Sequence, residues 1–115
     1  MRNPEKSSEN PKKILNQIEI ILNKIKYVEL KKLCINIFIK YKKEFVKYPA
    51  SINNHYPIRG GLLLHTLNCL NLSLQFIKNY NFLDKDLLIS GTFLHDIGKV
   101  KSFSGEYIFE ETTFT

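Results

Sequence analysis

The chain has 115 residues and a mass of 13.5 kDa, which is enough for one small domain with a single hydrophobic core. Apolar residues make up 43% of it and charged residues 24%, a composition typical of folded globular proteins rather than disordered ones. The apolar runs are short, as at residues 20–22 and 62–64, and the first thirteen residues hold no hydrophobic segment. We therefore expect a cytoplasmic protein with no membrane span and no secretory signal.

The positive charge is concentrated in the first half of the chain. The net charge is +6, and residues 1–48 contain twelve Lys or Arg against five Glu, whereas residues 49–115 contain five basic and six acidic residues. A basic helical surface can attract nucleic acid. The fifteen Lys, eleven Asn and fourteen Ile are also typical of AT-rich coding sequence, so a solvated lysine surface is an equally good interpretation.

The first half of the chain predicts a polar tail followed by helices. Residues 1–11 lack periodicity and are predicted to be a mobile tail, with a single domain over residues 12–115. Apolar residues spaced three and four apart predict one helix from residue 12 to about residue 25 and a second over residues 28–38. Phe45 and Val46 predict a short third piece, which Pro49 ends. Residues 49–61 are rich in Pro, Asn and Gly and predict an ordered loop.

Two further helices and a tail are predicted in the second half. The first begins at Leu62 and ends near residue 79, and the second spans residues 84–97, with Gly98 at the position of a C-terminal cap. The composition from Val100 onward favours extended chain. The predicted fold class is therefore all-α, with a short extended tail at the C-terminus.

Three histidines and one aspartate carry the chemistry that the sequence offers. His65 lies in the first turns of one predicted helix, and His95 is followed by Asp96 near the end of the next. Two antiparallel helices joined by the turn near residue 80 can bring these side chains together. Imidazole and carboxylate ligands suit Mn, Fe, Co, Ni or Zn, and a bound ion with open positions acidifies water. The alternative for each histidine is an ordinary role in the core.

The segments HDIGK at residues 95–99 and GGLLLHT at residues 60–66 resemble the HD superfamily of metal-dependent phosphohydrolases. Together with Pro49-Ala50, Asn54-His55 and Arg59, they are similar to the HD domain of the YhaM-type 3′→5′ exoribonucleases. The resemblance implies the front half of an HD-domain helical bundle, so that residues 12–115 would be a partial HD domain. It also implies a substrate of single-stranded RNA or another phosphodiester.

Roles for individual residues follow from the same resemblance. It implies that His65, His95 and Asp96 bind metal, with Asp96 and Lys99 catalytic. The residues implied to contact substrate are His55, Arg59 and Lys99. The implied cofactor is a divalent metal, with manganese preferred and magnesium, cobalt, nickel, iron or zinc as alternatives.

The family also uses a late aspartate and further histidines downstream of the HD motif. This chain has no Asp after Asp96 and no His after His95, and its last acids are Glu106, Glu110 and Glu111. It is therefore interpreted as truncated after the HD motif. The alternative hypotheses for its function are a non-catalytic module that binds nucleic acid or protein, and a decayed fragment. For its partners, self-association into a homo-oligomer is a further interpretation.

The two cysteines, Cys34 and Cys69, are predicted to be small core residues. They lie at apolar positions of predicted helices. The sequence contains no CxxC motif that would pair them around zinc.

Overall fold

The computed structural model describes residues 10–47 and 61–104, and within these ranges the chain forms four α-helices and no strand. The predicted all-α class is therefore confirmed for this part of the chain. None of the helices described is both long and apolar enough to cross a membrane. The helices are α1 (Pro11–Leu22), α2 (Val28–Lys47), α3 (Gly61–Asn79) and α4 (Lys85–Ser104).

Helix α1 begins where its sequence supplies a cap. The Asn10 side chain accepts a hydrogen bond of 2.8 Å from the backbone N–H of Lys12, and Pro11 occupies the first turn. An asparagine cap followed by proline satisfies the exposed N–H groups and presets the helical φ angle. The helix therefore starts one residue before the predicted boundary. Residues 1–9, the rest of the predicted tail, lie outside the described residues.

Helix α2 is one continuous helix, so the prediction of a separate short piece at Phe45 and Val46 was wrong. Phe45 is fully buried and lies on the same side of α2 as Cys34 and Phe38. The lysines between Phe38 and Phe45 interrupt the apolar pattern without interrupting the helix, because only one face is buried. That face is also narrower than predicted, since Val28 is 53% exposed.

Helix α4 extends beyond its predicted end. The sequence placed a cap at Gly98 and extended chain from Val100, but the helix continues to Ser104. Ile97 and Val100 are 5% and 2% exposed. Burying such a side chain contributes about 1.5–3 kcal/mol, more than the ~1 kcal/mol that a glycine costs inside a helix. Residues 105–115 of the predicted extended tail lie outside the described residues.

The helices enclose one core, with α4 packed against both α2 and α3 and with α1 packed against α3. Phe38 of α2 and Phe93 of α4 meet edge to face, with ring centroids 6.2 Å apart, a favourable aromatic geometry. The buried apolar residues of this core are Ile14, Ile18, Ile21, Leu22 and Ile25; Cys34, Phe38 and Phe45; Leu62, Leu63, Leu67 and Leu70; and Ile89, Phe93, Ile97 and Val100.

A carboxylate in the first turn of α4 fixes the loop between α1 and α2. The two oxygens of Asp86 accept hydrogen bonds of 2.8 Å from the backbone N–H groups of Lys26 and Tyr27. These two bonds are the main cause of a lowered pKa for Asp86. Because hydrogen bonding favours the charged form, the contact depends on an ionised carboxylate.

We predict that Asp86→Asn destabilises the chain at neutral pH and that this effect becomes smaller in acid. The folded-state pKa of Asp86 lies below its ordinary value of 3.8, so its stabilisation is present above that value and is lost as the pH falls through the folded-state pKa. Urea denaturation of both proteins at pH 7 and pH 3 measures the difference. Glu19→Gln, which removes an exposed acid from α1, is the control. An equal difference between wild type and Asp86→Asn at both pH values would contradict the prediction.

Candidate metal centre

Helices α3 and α4 border a groove with a volume of about 600 Å³. Its polar end contains most of the chemically active side chains of the two helices, and its other end is apolar, with Leu72 and Phe76 opposite Leu87. These three apolar side chains are 47–67% exposed. The residues of the polar end are His65, Cys69, His95, Asp96 and Lys99.

Helix α3 directs His65, Cys69 and Ser73 toward α4 because residues four apart lie on the same face of a helix. The Ser73 hydroxyl donates to the Cys69 carbonyl at 3.0 Å. Its oxygen is 3.1 Å from the hydroxyl of Thr92 on α4. Since the single Ser73 proton is already used, Thr92 is the donor across the helices. This bond fixes how far α3 is shifted along α4.

Asp96 is the buried group at the polar end of the groove. Its side chain is 3% exposed, and Oδ1 lies 3.8 Å from Nε2 of His65 and 4.0 Å from Nζ of Lys99. The other oxygen, Oδ2, accepts no hydrogen bond from the described part of the chain. A buried carboxylate oxygen without such a partner is costly, and a bound cation is one way to compensate for it.

Cys69 is a candidate site residue that the sequence interpretation missed. It is half-buried in the groove wall, and its Sγ is 3.5 Å from Nε2 of His65, so the prediction of a core residue was wrong. The prediction for Cys34 is confirmed, because that residue is fully buried in the core. The spacing of four between His65 and Cys69 is the signal that could have identified the pair.

Burial raises the pKa of the Cys69 thiol. The carboxylate of Asp96 raises this pKa further, while the ammonium group of Lys99 lowers it. Burial also raises the pKa of Cys34. Burial and the carboxylate of Asp96, which both raise the pKa of Cys69, therefore favour its neutral thiol while the centre holds no cation.

The remaining predicted site residues are Lys99, His95, His55 and Arg59. Lys99 lies at the polar end with a side chain that is 34% exposed. His95 lines the same groove but is exposed on its rim, outside the group of three donors formed by His65, Cys69 and Asp96. Its assignment as a metal ligand stays a prediction. His55 and Arg59 lie outside the described residues.

The donors that come together fit a divalent cation. One ligand atom from each of His65, Cys69 and Asp96 can be chosen so that all three lie within 4.8 Å of one another. They offer a nitrogen, a sulfur and an oxygen, a set found around transition metals. The oxygen without a hydrogen bond on Asp96 is the structural sign that this position suits a cation. The fold and the site together define a helical protein with a candidate divalent-metal centre.

Several curated proteins with the same name are similar to this chain. The protein named 3′-5′ exoribonuclease YhaM from Bacillus licheniformis is 40% identical over 91 residues, which are 79% of this chain and 28% of that protein. The protein of the same name from Halalkalibacterium halodurans is 34% identical over 106 residues, 92% of this chain and 32% of that protein. That from Bacillus subtilis is 46% identical over 66 residues, 57% of this chain and 21% of that protein.

This chain is therefore related to the YhaM proteins, and it spans less than a third of the length of these relatives. No family model matches the chain. No solved structure matches it significantly. These relatives confirm the similarity to the YhaM-type exoribonucleases that was predicted from the two motifs.

We predict that Thr92 and Ser73 are energetically coupled across the groove. Replacing Thr92 by Val removes the donor but keeps the shape, so the free energy of unfolding should fall by about 1 kcal/mol. A double-mutant cycle with Ser73→Ala, followed by urea denaturation, measures the coupling. Ser90→Ala is the control on the same helix, since its hydroxyl donates only to the Leu87 carbonyl within α4. Additive losses in the Ser73 and Thr92 cycle would contradict a bond between the helices.

We also predict that Zn²⁺ stabilises the folded chain through Asp96. An ion at ~100 times its Kd adds about 2.7 kcal/mol of stability, which corresponds to a rise in Tm of roughly 10 °C for a domain of this size. Asp96→Asn should abolish the rise, whereas Asp86→Asn on the same helix should keep it. Differential scanning calorimetry with and without Zn²⁺ measures both. An equal rise in Tm for wild type and Asp96→Asn would show that the ion binds elsewhere.

Proposed function

We propose that this chain is an HD-type, divalent-metal-dependent phosphohydrolase domain that acts as a 3′→5′ exoribonuclease on single-stranded RNA. The observation that carries the proposal is the approach of His65 and Asp96. They belong to two separate sequence motifs on different helices, and their Nε2 and Oδ1 atoms lie 3.8 Å apart. The names of the similar proteins support the same reaction class.

The proposed metal site is formed by His65 and Asp96, with His95 available from the groove rim. A divalent ion held there supplies Lewis acidity and an acidified water, both of which assist phosphodiester hydrolysis. Asp96 suits its role because α4 keeps its carboxylate nearly buried, where electrostatic attraction to a cation is screened less than at the surface. The protein contributes the position of these donors before any ion arrives.

Lys99 is proposed to bind the phosphate of the substrate. Its ammonium group lies 4.0 Å from Oδ1 of Asp96, so it is adjacent to the proposed metal position, and a third of its side chain is exposed. An ammonium group with several donors suits a phosphate oxygen. Lys99 would therefore orient the scissile phosphodiester toward Asp96 and offset its charge.

The shape of the groove suits the end of a single strand. The polar donors occupy one end, and Leu72, Phe76 and Leu87 form an apolar end. Aromatic side chains bind the faces of unpaired bases with little sequence preference. Phe76 follows His65 on α3 by about 16 Å along the helix axis, so a strand with one phosphate at Lys99 can place the base of a nucleotide further along the strand, not of the same nucleotide, toward Phe76.

We predict that Asp96→Asn and Lys99→Met both impair RNA trimming but differ in metal binding. Loss of Asp96 should lower activity at least ~100-fold, because even residues that merely support metal ligands contribute 10–100-fold. Loss of Lys99 should lower activity about 10–100-fold, the value of a charged hydrogen bond, while leaving metal content unchanged. Mn²⁺-dependent shortening of a 3′-labelled and a 5′-labelled RNA oligonucleotide, with metal content by mass spectrometry, measures both effects.

Lys78→Met is the matched control, because Lys78 lies in the last turn of α3 and is not part of the groove wall. It should retain activity. A wild-type chain that binds RNA without shortening it would contradict the proposal. Such a result would favour the non-catalytic nucleic-acid-binding module. A chain that trims RNA equally well with Asn at position 96 would place the reaction elsewhere.

A further inference from the structure

We propose that Cys69 is a protein ligand of the metal ion, together with His65 and Asp96, and that the centre consequently prefers zinc or cobalt to manganese or magnesium. The inference rests on the metal centre of the proposed function and goes beyond it. The two sequence motifs include only nitrogen and oxygen donors, whereas the structure adds a sulfur donor between them. Cobalt and zinc then become the ions best matched to the site.

Two of the three donor separations are close to those around a tetrahedral ion. A sulfur about 2.3 Å and a nitrogen about 2.0 Å from zinc, at the tetrahedral angle, lie about 3.5 Å apart. Sγ of Cys69 and Nε2 of His65 are 3.5 Å apart. Two ligands at about 2.0 Å lie about 3.3 Å apart in the same geometry, and Nε2 of His65 is 3.8 Å from Oδ1 of Asp96. All three donor atoms lie within 4.8 Å of one another, so side-chain rotations that shorten the longest separation bring all three onto one ion.

An independent observation points to a cation at the same place. Asp96 lines the groove with a side chain that is 3% exposed, and its Oδ2 has no hydrogen-bond donor in the described part of the chain. A thiol that only packed against His65 would leave this carboxylate oxygen unsatisfied. An ion at the centre of the three donors would satisfy this oxygen, and it would replace the hydrogen bond of 3.5 Å between Cys69 Sγ and His65 Nε2.

Two hydrogen bonds link the backbone of Cys69 to α4. Its carbonyl accepts the hydrogen bond from Ser73, whose oxygen is in turn bonded to Thr92 on α4. Cys69 is therefore tied to the helix that contains Asp96. Cys34, the other cysteine of the chain, is fully buried in the core on α2 and has no place in the group of three donors.

The sulfur determines the preference among metals. Thiolate ligands favour softer ions such as zinc, whereas carboxylate and water ligands suit magnesium and manganese. Coordination of Cys69 forms a metal–sulfur bond and releases the thiol proton to solvent. The manganese preference expected from the resemblance assumes that no thiolate binds the ion. With Cys69 bound, zinc and cobalt should compete successfully against a large excess of manganese.

Cobalt absorption spectroscopy tests the proposal directly. The purified chain, freed of metal with a chelator, is titrated with Co²⁺ and its near-ultraviolet and visible absorption is recorded. We expect a sulfur-to-cobalt charge-transfer band that saturates at one cobalt per chain and is absent in Cys69→Ala. In competition with a zinc indicator, Cys69→Ala should bind zinc at least ~10-fold more weakly, the smallest loss expected for a residue at a metal centre.

Cys34→Ala is the matched control, and it should keep the charge-transfer band. Cys69→Ser keeps the size of the side chain and its ability to hydrogen bond, so its loss of the band would show that sulfur itself is required. Circular dichroism of every variant establishes that the helices are intact. A wild-type chain that binds cobalt without the band, a band that survives in Cys69→Ala, or a chain that binds no cobalt would each overturn the proposal.

The RNA assay separates this proposal from the proposed function. A chain that trims RNA with Mn²⁺ but shows no sulfur-to-cobalt band would keep the exoribonuclease function and exclude Cys69 as a ligand. A chain that shows the band but does not trim RNA would keep Cys69 as a ligand in a protein that does not hydrolyse RNA. The two results are independent because the spectrum is recorded without substrate.

Discussion

The candidate site depends on one constraint: α4 has to contribute side chains to the core on one face and to the groove on another. Ile89, Phe93 and Ile97 place one face of the helix in the core, while Thr92 and Lys99 border the groove. Because each residue advances about 100° around the helix, Asp96 lies at the boundary between these two faces. It is therefore nearly buried and yet able to reach His65.

Because α3 packs against α4, this boundary position becomes part of the candidate metal centre. The hydrogen bond between Ser73 and Thr92 sets how the two helices are aligned along their length. His65 lies about two turns before Ser73 on α3. If the helices were shifted by one turn, a displacement of about 5.4 Å, His65 could not approach Asp96. The contact between Phe38 and Phe93 holds α4 from the other side, so the alignment is supported by the core as well.

The sequence predicted most of the fold because the apolar spacing in α1 and α3 is regular. In α3, Leu63, Leu67 and Leu70 form one buried face as predicted. The errors occurred where tertiary burial outweighed local signals. Gly98 was interpreted as a cap although its neighbours Ile97 and Val100 anchor the helix in the core, and no local pattern reports what a side chain is buried against.

The helical spacing of apolar residues in α4 has two possible causes, packing on the core or lining of a groove, and the sequence alone does not distinguish them. Leu87, Leu88, Gly91, Leu94 and His95 recur at helical intervals in the sequence. Leu94 packs against the core, whereas the other four line the groove. An apolar face indicates contact with something apolar, and both a core and a groove satisfy that condition. The buried face instead runs through Ile89 and Phe93, a pattern that only the packed helices distinguish.

The sequence predicted that two helices bring His65 and Asp96 together at the candidate centre. It did not predict which other side chains lie beside them. The antiparallel helices expected to oppose His65 to Asp96 do so in the structure. His95 adjoins Asp96 in sequence, yet it turns to the exposed rim, since neighbouring residues on a helix point in different directions. Cys69 was assigned to the core because cysteine behaves as a small apolar residue. Its role depends on whether α4 faces it, which is a property of tertiary structure.

The same packing supports the proposed pairing of a cation with the Cys69 thiol. A buried carboxylate costs free energy unless opposite charge compensates it, and the ammonium group of Lys99 lies 4.0 Å from Asp96 Oδ1 and is partly exposed to solvent. The half-buried thiol beside it favours its neutral form, since burial and Asp96 both raise its pKa. In the proposed centre, an ion between them would reverse this balance, because it would attract the carboxylate and stabilise the thiolate at once. Each donor would then make the other less costly to bury, so the proposal ties the stability of the centre to the ion.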